Sequence, residues 1–447
     1  MPLSSEPRTQ QQIARSYYVI AGIYTLSASI VWGVNTLFLL RNGGLTLLQV
    51  FVANAVFTGS MALFELPTGI IADTRGRRFS FLLSVSVLFV GTAAYVAVPM
   101  MGGGFGAFCA ISVVLGLGYT FYSGAVEAWV VDALNAAGPN APIDLVMARG
   151  STISSGAMLV GTVAGGVLGN VNLALPYVVR CALLVGALAI AMTTMHDTGF
   201  TVRALSLAEV PAEMARVGRE SIRFGWNVPR ARLAILAGAM PAVFLEWGYH
   251  AWQPYFLGLL GSNAVWVLGA IAAAISLSMM AGNSLVERLT RYCGRRTTLL
   301  LGASVVYSAT AIAVGLTGSF WLAVPIYLIG MAAAGVFQPV RQAYLHLVVA
   351  AERRATVLSL ASLVASLGSM MGQAGLGWIG ARHTLAAGYV AGGAITALAI
   401  PFVLAMRAFG GGPDRIVGRA GRYATCNTLA APGGVAVVAE PDVVVTT

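Results

Sequence analysis

Apolar residues run along this chain in blocks far longer than a water-soluble core uses. From Phe79 to Val126, 48 consecutive positions carry no charged side chain, and a second uncharged run covers Thr297 to Val340. About 20 apolar residues already cross a bilayer as a helix, so each run predicts two spans joined by a turn. Twelve such segments can be read, with approximate cores at 17–39, 47–71, 79–99, 106–131, 147–169, 175–195, 233–258, 264–286, 297–317, 320–343, 356–380 and 385–406. Turn-forming clusters separate several of them: Asn42-Gly43-Gly44, Gly102-Gly103-Gly104, Asn170 to Pro176, Gly261-Ser262-Asn263 and Thr317-Gly318-Ser319. The expected fold class is an all-α membrane protein whose twelve transmembrane helices form two six-helix bundles.

The longest polar interval divides the chain into six spans plus six. Residues 1–196 form the expected first bundle, 197–232 a cytoplasmic linker, 233–407 the second bundle and 408–447 a disordered cytoplasmic tail rich in Gly and Ala. Within the linker, Leu207, Val210, Met214 and Val217 recur at spacings of three and four, while Glu209, Glu213, Arg216, Glu220 and Arg223 follow another face. This is an amphipathic helix, lying on the membrane surface or solvated as a connector. The polar residues Met1 to Gln12 hold no small-residue cleavage site, and the first apolar segment exceeds a signal-peptide core, so a retained first span is expected.

Charge placement orients the spans. Charged residues make up 9% of the chain, against about 25% in soluble domains. The net charge of +10 does not point to nucleic acid, because the arginines sit on alternate loops between apolar segments. One loop set holds Arg75, Arg77, Arg78, Arg149, the linker arginines, Arg288, Arg291, Arg295, Arg296, Arg353 and Arg354, whereas the other holds only Arg41 and Arg382. The arginine-rich side reads as cytoplasmic, with both termini there. Cys109, Cys181, Cys293 and Cys426 show neither metal spacing nor a disulfide framework.

The halves repeat. Gly76-Arg77-Arg78 matches Gly294-Arg295-Arg296 at an offset of 218, and Gly161-Thr162 and Gly165-Gly166 match Gly372-Gln373 and Gly375 at about 211. Two six-span bundles related by an axis along the membrane normal are a transporter architecture, with the substrate near the midplane between them. Gly69-x-x-x-Asp73-x-x-Gly76-Arg77-Arg78, between spans two and three, resembles the signature loop of the major facilitator superfamily, and the resemblance covers about residues 15–407. Thr74 stands where that family usually has Arg or Lys. Gly161 to Gly166 is similar to the fifth-span motif of the family's proton-driven exporters, with Thr162 in place of Pro. Those exporters usually carry an Arg in span four, which this chain lacks, so proton coupling does not carry over by that residue. On mechanics alone, Gly69 would let two helices approach. Asp73, Arg75, Arg77 and Arg78 would pair with one another and with Asp132, forming a gating latch on the cytoplasmic side.

Charges inside the membrane are functional candidates because each costs at least about 2.5–3.5 kcal/mol on insertion scales. Glu246 lies midway along span seven with His250 one turn on, a pair able to exchange a proton or to lock the span to a neighbour. Glu65 and Glu127 either line a cavity or anchor the interface, and Arg180 reads as a snorkelling arginine that alternatively attracts an anion or pairs with a carboxylate. Trp32, Asn35, Tyr119, Tyr122, Trp252, Gln253 and Gln338 are cavity candidates, a mixture suited to a small amphipathic molecule. Gly161, Gly165, Gly166 and Gly372 form the helix-packing motif.

The resulting expectation is a secondary transporter working by alternating access, with proton-coupled efflux of a small amphipathic organic molecule as the first reading. A proton-coupled importer or facilitator of a small metabolite is the alternative. The partners are a small-molecule substrate, protons and membrane lipids, with no nucleic acid, no metal, no cofactor and a monomeric state. No nucleophile–base pair or phosphate loop suggests an enzyme, the chain having no Lys at all.

Overall fold

The structure, a computed structural model, describes residues 9–139, 141–200, 222–350 and 353–416 and a few isolated positions between 212 and 220. Among the described residues, eleven helices are long and apolar enough to cross a membrane, and a bent pair makes a twelfth. α1 is that pair, Gln10–Trp32 and Asn35–Arg41, bent by 46°. There follow α2 (Leu47–Arg75), α3 (Arg77–Met100), α4 (Phe105–Ala136, interrupted at Ser123 and Gly124), α5 (Ile143–Val171) and α6 (Leu175–Thr194). The second set is α7 (Pro229–Leu260), α8 (Trp266–Tyr292), α9 (Arg296–Leu316), α10 (Phe320–Val348), α11 (Arg354–Arg382) and α12 (Leu385–Phe409).

These helices outrun the apolar cores read from the sequence, mostly at the arginine-rich face. α2, α5, α10 and α11 have 29 residues each, about 43 Å at 1.5 Å per residue, against a hydrocarbon core of about 30 Å. The additional turns carry polar side chains such as Asp73, Arg75 and His346, which an apolar count leaves out.

The two bundles are built alike. In the first, a side chain at Gly165 of α5 would run into the Ile30 carbonyl of α1. In the second, one at Gly372 of α11 would run into the Val243 carbonyl of α7. Small residues thus bring these backbones together, which matters in lipid, where no hydrophobic force drives helices into contact.

The third helix of each bundle also starts alike. The Arg78 N–H at the start of α3 donates to Asp197 Oδ1 at 2.9 Å, and the Thr297 N–H at the start of α9 donates to Asp414 Oδ1 at 2.9 Å. Each aspartate lies just after the last helix of its bundle and satisfies a free helix N–H, a cap worth about 1 kcal/mol. Gly76, at φ +106, must be glycine here, because a side chain would meet the Asp197 carboxylate as well as backbone strain. The Arg296 guanidinium donates to the carbonyls of Pro413 (3.0 Å) and Arg415 (2.6 Å). Residues 408–416, expected to begin an unstructured tail, therefore end α12 and then fold onto the start of α9, whose unpaired N–H groups hold them. The rest of the tail lies outside the described residues. So do Leu207, Glu209, Val210, Glu213, Met214 and Val217 of the expected amphipathic helix, although the Arg216–Glu220 pair (3.0 Å) on its polar face is described.

Three apolar clusters hold the molecule together. One belongs to the first bundle alone and one to the second alone, both towards the arginine-rich face. The third joins both bundles at the opposite face, through Val34, Phe38 and Phe51 on one side and Phe244, Trp247, Trp252 and Phe256 on the other. The bundles therefore meet at one face and part at the other.

Candidate functional site

The sealed face has a polar keystone. In a continuous α1 the Thr36 N–H would bond to the Trp32 carbonyl, four residues back. The fully buried Gln253 of α7 inserts its amide at that point. Its Nε2 donates to the Trp32 carbonyl (2.8 Å), and its Oε1 accepts from the Thr36 N–H (3.0 Å). A side chain lodged in the helix ladder accounts for the bend in α1. Around it, the Phe51 ring stacks on Trp247 at 5.6 Å, and Arg41 donates to Asn263 Oδ1 at 3.1 Å. Phe51, Trp247, Trp252 and Phe256 have no exposed surface. Opening this face to water would expose them, at about 1.5–3 kcal/mol for each large apolar side chain.

Below the seal lie three neighbouring chambers. A polar one of about 130 Å³ is lined by Trp32, Asn35, Asn54, Tyr95, Tyr119, Tyr177, Arg180 and His250. The Tyr177 hydroxyl donates to Asn35 Oδ1 (2.8 Å), Asn35 Nδ2 donates to Asn54 Oδ1 (3.4 Å), and Arg180 donates to the Tyr119 hydroxyl (3.0 Å). An apolar chamber of about 530 Å³, which shares Ala28 and Trp32 with the first, is lined by Met158, Tyr249, Met279 and Met280 among others. The third, about 410 Å³ and sharing Phe57 with the polar chamber, lies between the bundles towards the arginine-rich face. Glu65, Glu246, Gln338, Ser362, Ser366 and Ser369 line it.

The sequence candidates are distributed among these places. Trp32, Asn35, Tyr119, Arg180 and His250 share the polar chamber, while Glu65, Glu246 and Gln338 share the third. Glu246 and His250 are thus not one paired site: one helical turn is enough to carry them to different chambers. Tyr122 instead stacks on Tyr24 at 3.5 Å inside the first bundle, and Glu127 lies on α4 beyond the break, outside all three linings. Trp252 and Gln253 belong to the seal rather than to a chamber. Arg180 does not snorkel, being only 5% exposed. Gly69 does not admit a close helix, since a Cβ there would find nothing within 4 Å, because the bundles have parted at that level. In the signature loop Asp73 pairs with Arg77 at 2.7 Å, Arg75 lies over the Phe79 ring, and Arg78 is held by Asp197 and the Met192 carbonyl. Asp132 makes no ion pair with these arginines among the described residues.

Several contributors were not singled out in the sequence. Asn54 carried a signal, as an amide inside an apolar segment, as Asn35 does. Asp197 and Asp414 carried another, an aspartate repeated 217 positions apart after each bundle. Tyr95 and Tyr177 carried none, since an aromatic in a span reads equally as belt, core or cavity.

Comparison with known proteins decides the family. The model for the Major Facilitator Superfamily matches residues 17–372. The chain belongs to this superfamily. It is a multi-pass membrane transporter, from a family of transporters rather than enzymes. It is 22% identical over 368 residues to the uncharacterized MFS-type transporter YxaM of Bacillus subtilis (strain 168), covering 80% of this chain and 86% of that one. Solved structures share the major facilitator fold at low identity. The nucleoside transporter NupG superposes with TM-score 0.71 at 12% identity, over 90% of this chain and 99% of its own. A bacterial homologue of the human lysosomal transporter Spinster, in an inward-facing and unoccupied conformation, gives 0.66 at 16%, over 91% and 97%. A D-xylose–proton symporter gives 0.65 at 13%, over 88% and 97%.

Proposed function

We propose that the protein exports an amphipathic organic molecule across the cytoplasmic membrane in exchange for protons, with the arginine-rich face and both termini in the cytoplasm. The observation that carries the proton role is Glu246. Its carboxylate borders the chamber towards the arginine-rich face and has no ion-pair partner among the described residues. A membrane-embedded carboxylate without a fixed counter-charge is suited to binding and releasing a proton as water reaches it. Glu65 borders the same chamber. The cargo class rests on the methionine- and aromatic-lined chamber beside a polar one, a lining that adapts to varied apolar shapes. Export is supported by the glycine motif of α5, similar to that of proton-driven exporters. In the working cycle the six-helix bundles rock about the cavity as a monomer. Asp73, Arg75, Arg77, Arg78 and Asp132 latch the cytoplasmic side when it closes, and their separation from Asp132 here belongs to the open phase.

Inside-out vesicles loaded with acidic buffer test this reading. A panel of labelled amphipathic compounds should accumulate in the lumen only with the proton gradient. Glu246→Gln should abolish the gradient dependence while leaving counterflow exchange intact. An unchanged pH dependence in that variant would remove Glu246 from coupling. Flux out of the lumen instead would make the protein an importer.

A further inference from the structure

Arg180 has a charge that no acidic side chain balances, and we infer that the transported molecule supplies it: the cargo is an organic anion whose single oxyanion head docks on Arg180. The inference rests on the reading of the cavity as the binding place of an amphipathic cargo, and it narrows that class.

The chamber wall carries the argument. A guanidinium stays charged, and a charge held inside a membrane protein is costly unless something pairs with it. Arg180 is buried, yet its only described hydrogen bond goes to the neutral Tyr119 hydroxyl, whose ring lies 5.5 Å from the guanidinium. Its Nε has no partner, and no Asp or Glu lines the polar chamber. The cavity carboxylates Glu65 and Glu246 border the third chamber instead. His250 presents a second buried nitrogen, Nδ1, without a partner to the same space. Burial without a carboxylate does not by itself make a docking point: Arg341 is equally buried and its Nε and one Nη also lack partners, but it bonds Gln338 and lines none of the three chambers, so it is the open chamber beside it that sets Arg180 apart.

Volume assigns the rest of the cargo. Small-molecule sites enclose roughly 300–1,000 Å³, so the polar chamber of about 130 Å³ holds a head group and not a whole amphiphile. The apolar chamber of about 530 Å³ adjoins it, with Trp32 in the wall of both, and has room for the body once that side chain moves aside. A carboxylate or sulfonate would take the guanidinium as a charge-assisted partner, with its apolar part passing Trp32 towards Met158 and Met279.

Equilibrium binding to the protein in lipid nanodiscs tests this with four probes sharing one body: 2-naphthoate, 2-naphthalenesulfonate, 2-naphthamide and 2-naphthylmethylammonium. At least one anion should bind about 10-fold more tightly than the amide, and the cation more weakly than both. Arg180→Gln should remove the preference while keeping the amide affinity, which also reports that the variant folds. Arg180→Lys should retain part of it. Equal affinity of the wild-type protein for anions and amide, or a preference that survives Arg180→Gln, overturns the inference. Proton-driven transport of the neutral probe would continue in that case, so the export reading is judged separately in vesicles.

Discussion

Two seams join the bundles at the sealed face, and the internal repeat relates them to each other, yet they are packed differently. On the α5–α8 seam, Gly166 faces Gly269, and a Cβ on Gly166 would lie 2.5 Å from the Gly269 Cα. On the α2–α11 seam, Gly377 faces Phe51, at 2.7 Å from a built Cβ to the Phe51 Cβ. Gly166 and Gly377 are 211 positions apart, and Phe51 and Gly269 are 218 apart, so these are the same two positions with one glycine exchanged for phenylalanine. At this crossing the first seam is backbone on backbone. The second must withdraw a phenyl ring from Trp247 and break the Gln373–Thr58 hydrogen bond (3.0 Å). Parting the bundles would therefore disturb fewer side-chain contacts at the Gly166–Gly269 crossing than at the Gly377–Phe51 crossing.

The contrast can be broken from several directions. The largest effect is expected at the far end of α2, where Asp73→Asn should abolish transport while insertion and size-exclusion behaviour stay normal. A well-expressed variant with normal flux would show that α2 needs no charged latch. Next comes Gly166→Val, which places a branched side chain against the Gly269 backbone. Transport should fall by about 100-fold, equivalent to nearly 3 kcal/mol against closure. Gly377→Ala should lose less, because it adds a single methyl against the Phe51 side chain rather than a branched side chain against backbone. Equal losses in the two would erase the distinction between the seams. The smallest effect belongs to Gln253→Leu, which leaves the Trp32 carbonyl and the Thr36 N–H at the bend without their partner. At about 1–3 kcal/mol for unsatisfied buried groups, the sealed state should loosen. A cysteine placed at the fully buried Val34 in a cysteine-free background should then be labelled several-fold faster from the sealed side.

The spans were legible in the sequence because bilayer thickness fixes the length of an apolar run whatever its neighbours are. All twelve segments became helices that contain or closely overlap their expected cores, and most of the expected linker lies outside the described residues. The helix ends were less legible, since the turns that leave the hydrocarbon carry charged residues. The cavity was legible only as a set of residue types. Trp32, Asn35 and Gln338 point into chambers, but Tyr122, Trp252 and Gln253 have the same chemistry and do not. Which way a helix is rotated depends on the packing of its neighbours, and neither composition nor period records that.

By itself the chain determined that it crosses a membrane repeatedly, that its halves repeat and that the arginines mark one face. Each follows from local transfer energies and spacing along the backbone. Only the tertiary structure decided that Glu246 and His250 serve different chambers, that Gln253 occupies the α1 ladder and that Asp197 and Asp414 cap helices more than a hundred positions away. These depend on which surfaces meet when two bundles close on one face and part on the other, a property of packing between distant segments rather than of any one segment.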